Sequence, residues 1–394
     1  MNAKDISPTA AAGLGTTFYR HIFYIHGFDP RGPAVYHRFC KLSASARAAL
    51  SPEQMHVSPR KKASTISDSW TIQANHSNGN TLTTYEILRW DDAVRKFWAR
   101  KPRASLPFAA WRALQVFRKQ RILAVLHRQA RACYRSIVLQ GIFTPLFGVG
   151  VLLSLATAFL LSLVVGGLSG APLWAYWVLP VFVLVASRWA WYRFEAWLNL
   201  NWVTRSLSFI IESAHGEVDP PQAHWEAFAQ RIATIQNSEQ ADEVIVVGHS
   251  IGALIGVRAL AHWRTLAPPL QGGMPKIKFM TLGQSIPLYT LLKSDQSFAD
   301  ALSTVAQCRA IEWLDVTSGS DPASTCGLDP LAGVETGTTL HRQSPDFHLT
   351  LTPSHFREIR ARPLDFHFQY LKATDTPIGF DYMRMICAPT QTNW

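Results

Sequence analysis

The chain has 394 residues, of which 48% are hydrophobic, and a formal net charge of +11 at pH 7. That length accommodates one large domain or two. Its five cysteines follow no paired spacing, which fits a reducing compartment and argues against a disulfide-stabilised secreted protein.

The first predicted elements are a tail, a strand and a helix. Residues 1–17 are small and polar, predict a loose tail, and lack the apolar run of a signal peptide. Residues 18–25 predict a strand, and residues 34–50 predict an amphipathic helix. On the loop between them, we expect Asp29 and Arg31 either to pair with each other and fix the loop or to contact a substrate.

A β-hairpin is expected next. Residues 69–74 and 81–88 alternate apolar and polar side chains on either side of an Asn-Gly-Asn turn at 78–80. Alternation with a period of two indicates strands, and an Asn-Gly pair between two such runs favours a tight hairpin turn.

A strongly basic region lies between Ala93 and Ser136, where the sequence has twelve Lys or Arg and no acidic residue. Within it, residues 109–139 predict one long helix with recurring apolar positions. We expect that helix either to lie in a lipid headgroup layer or to lead the chain, solvated, towards a membrane. Nucleic acid also attracts basic runs, but this run adjoins an uncharged segment. Anionic lipid is therefore the expected partner, and no nucleic acid is expected.

Residues 136–187 contain no Asp, Glu, Lys, Arg or His. The run is long enough for two membrane crossings of about 20 residues each, and we expect them at 141–165 and 172–191, joined by a glycine-rich turn. Basic residues flank both spans, so the positive-inside rule predicts an inner or cytoplasmic membrane protein with both flanks in the cytoplasm. The alternative is a helical hairpin buried in a soluble core.

Strands and helices alternate in the rest of the chain. Helices are expected at 194–213, 225–235, 251–261 and 297–307, and strands at 244–247, 276–283 and 309–316. This alternation predicts an α/β fold with a mostly parallel sheet flanked by helices.

The strand at 244–247 runs into a Gly-x-Ser-x-Gly pattern made of Gly248, His249, Ser250, Ile251 and Gly252. A serine on such a tight strand-to-helix turn takes a strained backbone conformation that pushes its hydroxyl out at the sheet edge. The glycines let the strand and the helix approach closely. The amide of Ile251 is expected at the helix N-terminus, where it can stabilise a developing oxyanion.

With a strand before it and a helix after it, this pattern resembles the nucleophile turn of the α/β-hydrolase family of lipases and esterases. The strand ending in His26 and Gly27 is similar to the family's oxyanion loop. The resemblance implies that the amide of Phe28 is a second oxyanion donor beside that of Ile251. It covers about the first quarter and the last two fifths of the chain, and it implies that Ser250 is a nucleophile.

In that family an acid and then a histidine follow the serine along the chain. Asp321, on the loop after the strand at 309–316, matches the family's acid, with Asp315 inside the strand as the alternative. His367 opens an apolar run after a proline and matches the family's histidine, with His348 as the alternative. We therefore predict a catalytic triad of Ser250, Asp321 and His367.

No metal and no nucleotide cofactor is expected. The sequence has no Cys-x-x-Cys, no His-Glu-x-x-His, no Walker-type loop and no Gly-x-Gly-x-x-Gly. His341, His348 and His355 are seven residues apart, but Pro345 and Pro353 prevent a single helix from aligning them.

These expectations combine into a membrane-anchored serine hydrolase that cleaves acyl esters, with membrane lipids and an acyl ester as partners. An α/β-hydrolase domain at 1–101 and 206–394 is expected to carry an insertion at 102–205 that holds the basic helix and a transmembrane hairpin. One alternative is a non-catalytic membrane protein that uses the hydrolase fold as an interaction platform. Another is an acyltransferase, and the sequence specifies no oligomeric state.

Overall fold

The computed structural model describes residues 17–50, 54–77, 79–101, 105–170, 172–238, 240–266, 276–376 and 378–394. The predicted tail therefore lies outside the described residues except for Thr17. So do Asn78 in the hairpin turn, Ala171 in the turn between the apolar helices, and the domain boundary at 102.

One mixed sheet carries the fold. Its strands are β1 (Thr17–Ile25), β2 (Gln54–Val57), β3 (Lys61–Lys62), β4 (Ser67–His76), β5 (Gly79–Leu88), β6 (Glu243–His249), β7 (Ile277–Leu282), β8 (Ile311–Val316) and β9 (Thr339–Gln343). Across the described residues they are ordered β2-β4-β5-β1-β6-β7-β8-β9, with β3 on β4. From β5 to β9 the neighbours are parallel, whereas β2, β3 and β4 form an antiparallel edge.

Helices cover both faces of the sheet. They are α1 (Pro33–Ala48), α2 (Asp91–Arg100), α3 (Leu106–Lys119), α4 (Ile122–Gln129), α5 (Arg131–Ser169), α6 (Val178–Leu198), α7 (Leu200–Ala214), α8 (Gln222–Asn237), α9 (Gly252–Leu266), α10 (Ile286–Thr290), α11 (Gln296–Gln307), α12 (Phe347–Thr350), α13 (Pro353–Arg360), α14 (Pro363–His367) and α15 (Tyr382–Ile386). Short 3-10 helices at Leu173–Trp177 and Gln369–Leu371 precede α6 and follow α14.

The central strands bury both of their faces. Side chains alternate across a strand, so Val246 lies in the core that α8, α9 and α11 share. Its neighbour Val247 lies in the opposite core, which α1 and α15 share. All of β6 is buried, which is why its sequence is a run of aliphatic residues rather than an alternating one.

The expectation of an α/β fold with a mostly parallel sheet is confirmed. The strand expected at 18–25 is β1, and the expected hairpin is β4 paired antiparallel to β5. The strands expected near 244, 276 and 309 are β6, β7 and β8. The short strands β2, β3 and β9 were not predicted, since their residues are mostly polar and partly exposed.

The prediction of one long basic helix at 109–139 is wrong. The chain forms α3, α4 and the start of α5, with breaks at Arg121, which has a φ of 59°, and at Ala130. Leu114 and Phe117 of α3 lie in the protein core, so protein and not a headgroup layer covers that apolar face. The helix expected at 194–213 is also divided, because Asn199, with a φ of 52°, separates α6 from α7.

Two helical segments are long and apolar enough to cross a membrane, Arg131–Ser169 and Leu173–Trp197. Only 11% and 6% of their most apolar windows are buried, so they are not core helices of the described fold. The first turns of α5 are the exception, with residues from Cys133 to Thr144 contributing to the protein interior. The exposed apolar part of α5 therefore starts near Pro145 rather than at 141.

A buried charged cluster anchors the C-terminal tail at the end of the sheet opposite Ser250. Arg20 in β1 pairs with Glu243 in β6 at 2.5 Å. Its other guanidinium nitrogens donate to the carbonyls of Ile386, Ala388 and Thr390 at 2.7 to 3.0 Å. Glu243 in turn accepts hydrogen bonds from the amide and hydroxyl of Thr392. The tail is thus held by a cationic side chain that is almost completely buried.

Replacing that cation should loosen the tail and destabilise the protein. Arg20→Met removes one donor from the buried carboxylate of Glu243, which keeps Thr392 and Lys278, and one from each of three tail carbonyls. We expect the loss of these charge-assisted hydrogen bonds to lower the free energy of unfolding by about 1.5–3 kcal/mol. Denaturant titration of the detergent-solubilised protein measures the loss, and limited proteolysis measures exposure of the tail. Arg38→Met, on the exposed side of α1, is the matched control. Equal stability of the two variants would refute the anchoring role.

Candidate active site

Four parallel strands deliver the predicted site residues to one edge of the sheet. β1 is followed directly by His26, β6 by Ser250, and β7 by Gly283, while Asp321 lies on the loop that leaves β8. The carboxyl ends of parallel strands lie at the same edge, where α/β proteins commonly bind ligands.

The turn at Ser250 has the strained geometry that the sequence predicted. Ser250 has a φ of 56°, a left-handed conformation that costs energy for a residue with a side chain. Its amide donates to the carbonyl of Leu282 at 2.9 Å, which ties the turn to β7. A Cβ at Gly248 would lie 2.6 Å from Cα of Ala253, and one at Gly252 would lie 2.5 Å from the carbonyl oxygen of His26. Both positions therefore require glycine.

The loop after β1 lies against the serine from the other side. A Cβ at Gly27 would lie 3.0 Å from Cβ of Ser250 and 3.6 Å from its Oγ. Phe28 and Ile251 line the same pocket as Ser250. Among the described residues, neither of their amides donates a backbone hydrogen bond, so both predicted oxyanion donors are available at the pocket.

Asp321 and His367 are hydrogen bonded to each other. Nδ1 of His367 lies 2.8 Å from Oδ2 of Asp321, and both side chains are buried. A carboxylate only accepts, so Nδ1 carries a proton and Nε2 of the neutral imidazole is free to accept one. Nε2 is buried at the pocket and makes no hydrogen bond to the described protein residues, Ser250 included. Such contacts are often open in a ligand-free site and close when substrate binds.

Asp321 is held by two further donors. The hydroxyl of Tyr370 donates to Oδ2 at 3.0 Å and accepts from the amide of Ser318 at 2.9 Å. The amide of Ala323 donates to Oδ1 at 2.9 Å. Three donors on one buried carboxylate fix its orientation towards the imidazole.

His249 supports the backbone of His367. Its Nε2 lies 3.1 Å from the carbonyl oxygen of His367, and because a carbonyl only accepts, this nitrogen donates. The two imidazole rings stack with centroids 4.7 Å apart. Burial lowers the pKa of His249 well below its ordinary value, and the neighbouring imidazole of His367 lowers that pKa further. His249 therefore stays neutral beside His367.

The β1 loop is fixed by an ion pair between the buried Asp29 and the exposed Arg31, as one of the two expectations for these residues had it. The guanidinium binds both carboxylate oxygens of Asp29 at 2.8 to 3.1 Å, and Tyr36 donates to the same carboxylate at 2.8 Å. The indole of Trp90 donates to the carbonyl of His26 at 2.8 Å, and His26 donates to the carbonyl of Gly27. Burial lowers the pKa of His26, so it too is neutral.

The alternative acid and base lie apart from this cluster. Asp315 is buried in β8 and accepts from the hydroxyl of Thr281 at 2.8 Å. His348 is exposed on α12. His341 lies 4.0 Å from Glu312, and His355 pairs with Asp375. In the described residues, no group of three His, Cys, Asp or Glu is arranged to hold a metal.

The pocket at Ser250 is walled on one side by the predicted insertion. It encloses about 720 Å³ between protein atoms, part of it open to solvent. That wall is formed by α5 and α7: Cys133, Ser136, Trp202 and Val203 belong to the predicted insertion, and Ser206, Leu207 and Ile210 follow its predicted end at 205. The segment 102–205 therefore shares a core and a pocket with the sheet and is not a separate appendage.

Sequence reasoning missed three contributors to the site. The sequence assigns no role to Tyr370 and includes His249 only as part of the serine pattern, because a hydrogen bond between distant segments leaves no local pattern. The wall residue Trp202 lay in a helix predicted without a role.

Comparisons with protein-family models, with curated proteins and with solved structures found no match. The resemblance to α/β hydrolases therefore remains a prediction from the quoted residues, and the functional conclusion depends on the geometry of the site.

Asp315 provides a test that depends on pH. Burial raises its pKa from 3.8 to about 6, so the folded protein holds this proton more tightly than the unfolded chain. The stabilisation that this tighter proton binding provides is complete below about pH 4 and is lost as pH rises through 6. Asp315→Asn should therefore be more stable than wild type by about 1–3 kcal/mol at pH 8. It should lose that advantage at pH 4.

Denaturant titration at the two pH values measures this difference. Asp300→Asn on the exposed face of α11 is the control, and it should match wild type at both. An Asp315→Asn advantage of equal size at pH 4 and pH 8 would contradict the raised pKa.

Proposed function

We propose that this protein is a serine hydrolase with an α/β-hydrolase fold that cleaves acyl esters through an acyl-enzyme on Ser250. The observation that carries the proposal is the buried pair of His367 and Asp321, joined at 2.8 Å, with His367 lining the same pocket as a serine held at positive φ. A strained backbone at a pocket edge is stabilised only by surrounding structure and points to function.

The proposed reaction starts with the serine hydroxyl. Oγ of Ser250 attacks the acyl carbonyl carbon while Nε2 of His367 takes its proton. Asp321 keeps the imidazole in the tautomer that leaves Nε2 unprotonated and stabilises the imidazolium that forms. The imidazolium then protonates the departing alcohol or thiol. Water, deprotonated by the same nitrogen, cleaves the acyl-enzyme and restores the serine.

Two backbone amides are assigned to the oxyanion. Those of Phe28 and Ile251 flank Ser250 at the pocket, and neither donates a backbone hydrogen bond among the described residues. An oxyanion donor is typically worth about 3–4 kcal/mol of transition-state stabilisation. The close packing of Gly27 on Ser250 supports this assignment, because it places the next amide of the loop beside the reacting centre.

We also propose that α5 and α6 anchor the protein in a membrane, with the sheet on the cytoplasmic side. Their side chains are apolar and mostly exposed, and large exposed apolar surfaces mark membrane or protein contacts. Exposed basic side chains such as Arg118, Lys119 and Arg128 lie near the base of the hairpin, where positive charge favours the cytoplasmic face.

The nucleophile is tested by Ser250→Ala. A fluorophosphonate probe should label the wild-type protein in detergent, and the variant should lose the label. Turnover of a short fluorogenic ester should fall by about 10³-fold or more. Ser303→Ala on α11, away from the pocket, is the control and should behave as wild type. Folded wild-type protein that takes no label would contradict the enzyme and favour the non-catalytic platform.

The supporting role of His249 is tested by His249→Phe, which keeps an aromatic ring against His367 but removes the donor to its carbonyl. The base should be less well placed, so kcat should fall by about 10-fold with little change in KM. His249→Gln, which retains an N–H donor, should recover part of the loss. A change in KM alone, or equal losses in both variants, would contradict the role.

A further inference from the structure

The pocket beside Ser250 is lined mainly by apolar atoms. Leu207 and Ile210 of α7 face Leu288, Leu364 and Phe368 across it. Each methylene group buried in such a pocket contributes about 0.8 kcal/mol, so the lining favours one aliphatic chain.

A polar layer separates this pocket from the exposed apolar part of the hairpin. Ser136 of α5 lines the pocket. One turn further along α5, Gln140 donates to the hydroxyl of Ser136 and accepts from the hydroxyl of Thr204 in α7, both at 3.2 Å. Gln140 and Thr204 are buried. A lipid chain therefore has no continuous apolar route from the bilayer to the pocket between α5 and α7.

The pocket also lies some distance below the bilayer. The ring of Phe143 in α5 stacks on the ring of Phe194 in α6, with centroids 4.0 Å apart. Glu195 follows Phe194 in the chain, so a charged residue lies at the same height along the hairpin as Phe143. At about 1.5 Å per residue, Ser136 lies about 10 Å below that level.

Arg188 is the first charge after the uncharged run at 136–187, and it marks a higher level of the hairpin. It lies about one turn above Trp191, which contacts Phe147 at 5.1 Å. The edge of the exposed apolar hairpin therefore lies between about 14 Å above Ser136, at Pro145 on α5, and about 20 Å above it, at Arg188 on α6. A headgroup layer is only about 5–8 Å deep, so an ester seated in the bilayer lies out of reach.

We propose that the substrate is a monoacyl ester or thioester that leaves the bilayer and reaches the pocket from the aqueous side, and not a diacyl lipid in place. This inference rests on the proposed hydrolase and on membrane insertion of the hairpin. The carbonyl carbon forms a bond to Oγ of Ser250 as the C–O or C–S bond breaks. The serine proton passes through His367 to the leaving alcohol or thiol, and water then releases the fatty acid.

Chain-length dependence tests the pocket. Wild-type kcat/KM should rise by about 10-fold or more between acyl chains of about 4 and 12 carbons, because added methylenes are buried. Ser206→Phe narrows the wall on α7 and should remove most of that preference. Labelling by a short-chain fluorophosphonate should fall much less. Ser154→Phe makes the same change on the exposed side of α5 and should retain the wild-type preference.

Substrate form tests the route. With protein reconstituted in phosphatidylcholine vesicles, an added lysophospholipid should be cleaved at least about 10-fold faster than the diacyl lipid around it. Comparable cleavage of the diacyl lipid, or a flat chain-length profile in wild type, would overturn the inference even if Ser206→Phe failed to fold. Labelling of Ser250 without these preferences would refute only the substrate class. Absence of both labelling and ester cleavage would refute the hydrolase itself.

Discussion

The close approach of three backbone segments around Ser250 is the constraint on which the rest of the site depends. The β1 loop, the end of β6 and the start of α9 meet where Gly27, Gly248 and Gly252 leave no room for a Cβ. Packed between these three segments, Ser250 adopts a positive φ and lines the pocket. The strain is sustained by a strand that is buried on both faces, and the anchored C-terminal tail reinforces that strand at its far end.

The apolar hairpin contributes to the pocket as well as to the proposed membrane anchor. The N-terminal turns of α5, which precede its exposed apolar segment, lie in the protein interior. Together with α7 they form one wall of the pocket. The guanidinium of Arg31 lies 4.9 Å from the rings of both Trp202 and Phe368, so it connects the β1 loop to α7 and to the segment that carries His367. A movement of α7 at the foot of the apolar hairpin would therefore displace the segment that carries His367, the proposed general base.

Local patterns predicted the strand-turn-helix at Ser250 and, with the family resemblance, the two residues that pair as Asp321 and His367. Glycine spacing and an aliphatic run encode the turn directly, whereas the two paired residues were identified only through the resemblance. The breaks at Arg121 and Asn199 were not predictable, because neither position has the glycine that positive φ favours. The wall from α7 was also missed, since packing between segments distant in sequence leaves no periodic signal.

The account's central claim is that Ser250, and no other pocket nucleophile, carries the acyl group. Peptide mapping by mass spectrometry after rapid quenching with an activated acyl ester tests it directly, because Cys133, Ser136, Ser206 and Ser285 line the same pocket. The account predicts the acyl mass on the peptide that contains Ser250, appearing before product accumulates. An acyl mass confined to one of the other side chains, or none during turnover, would contradict it.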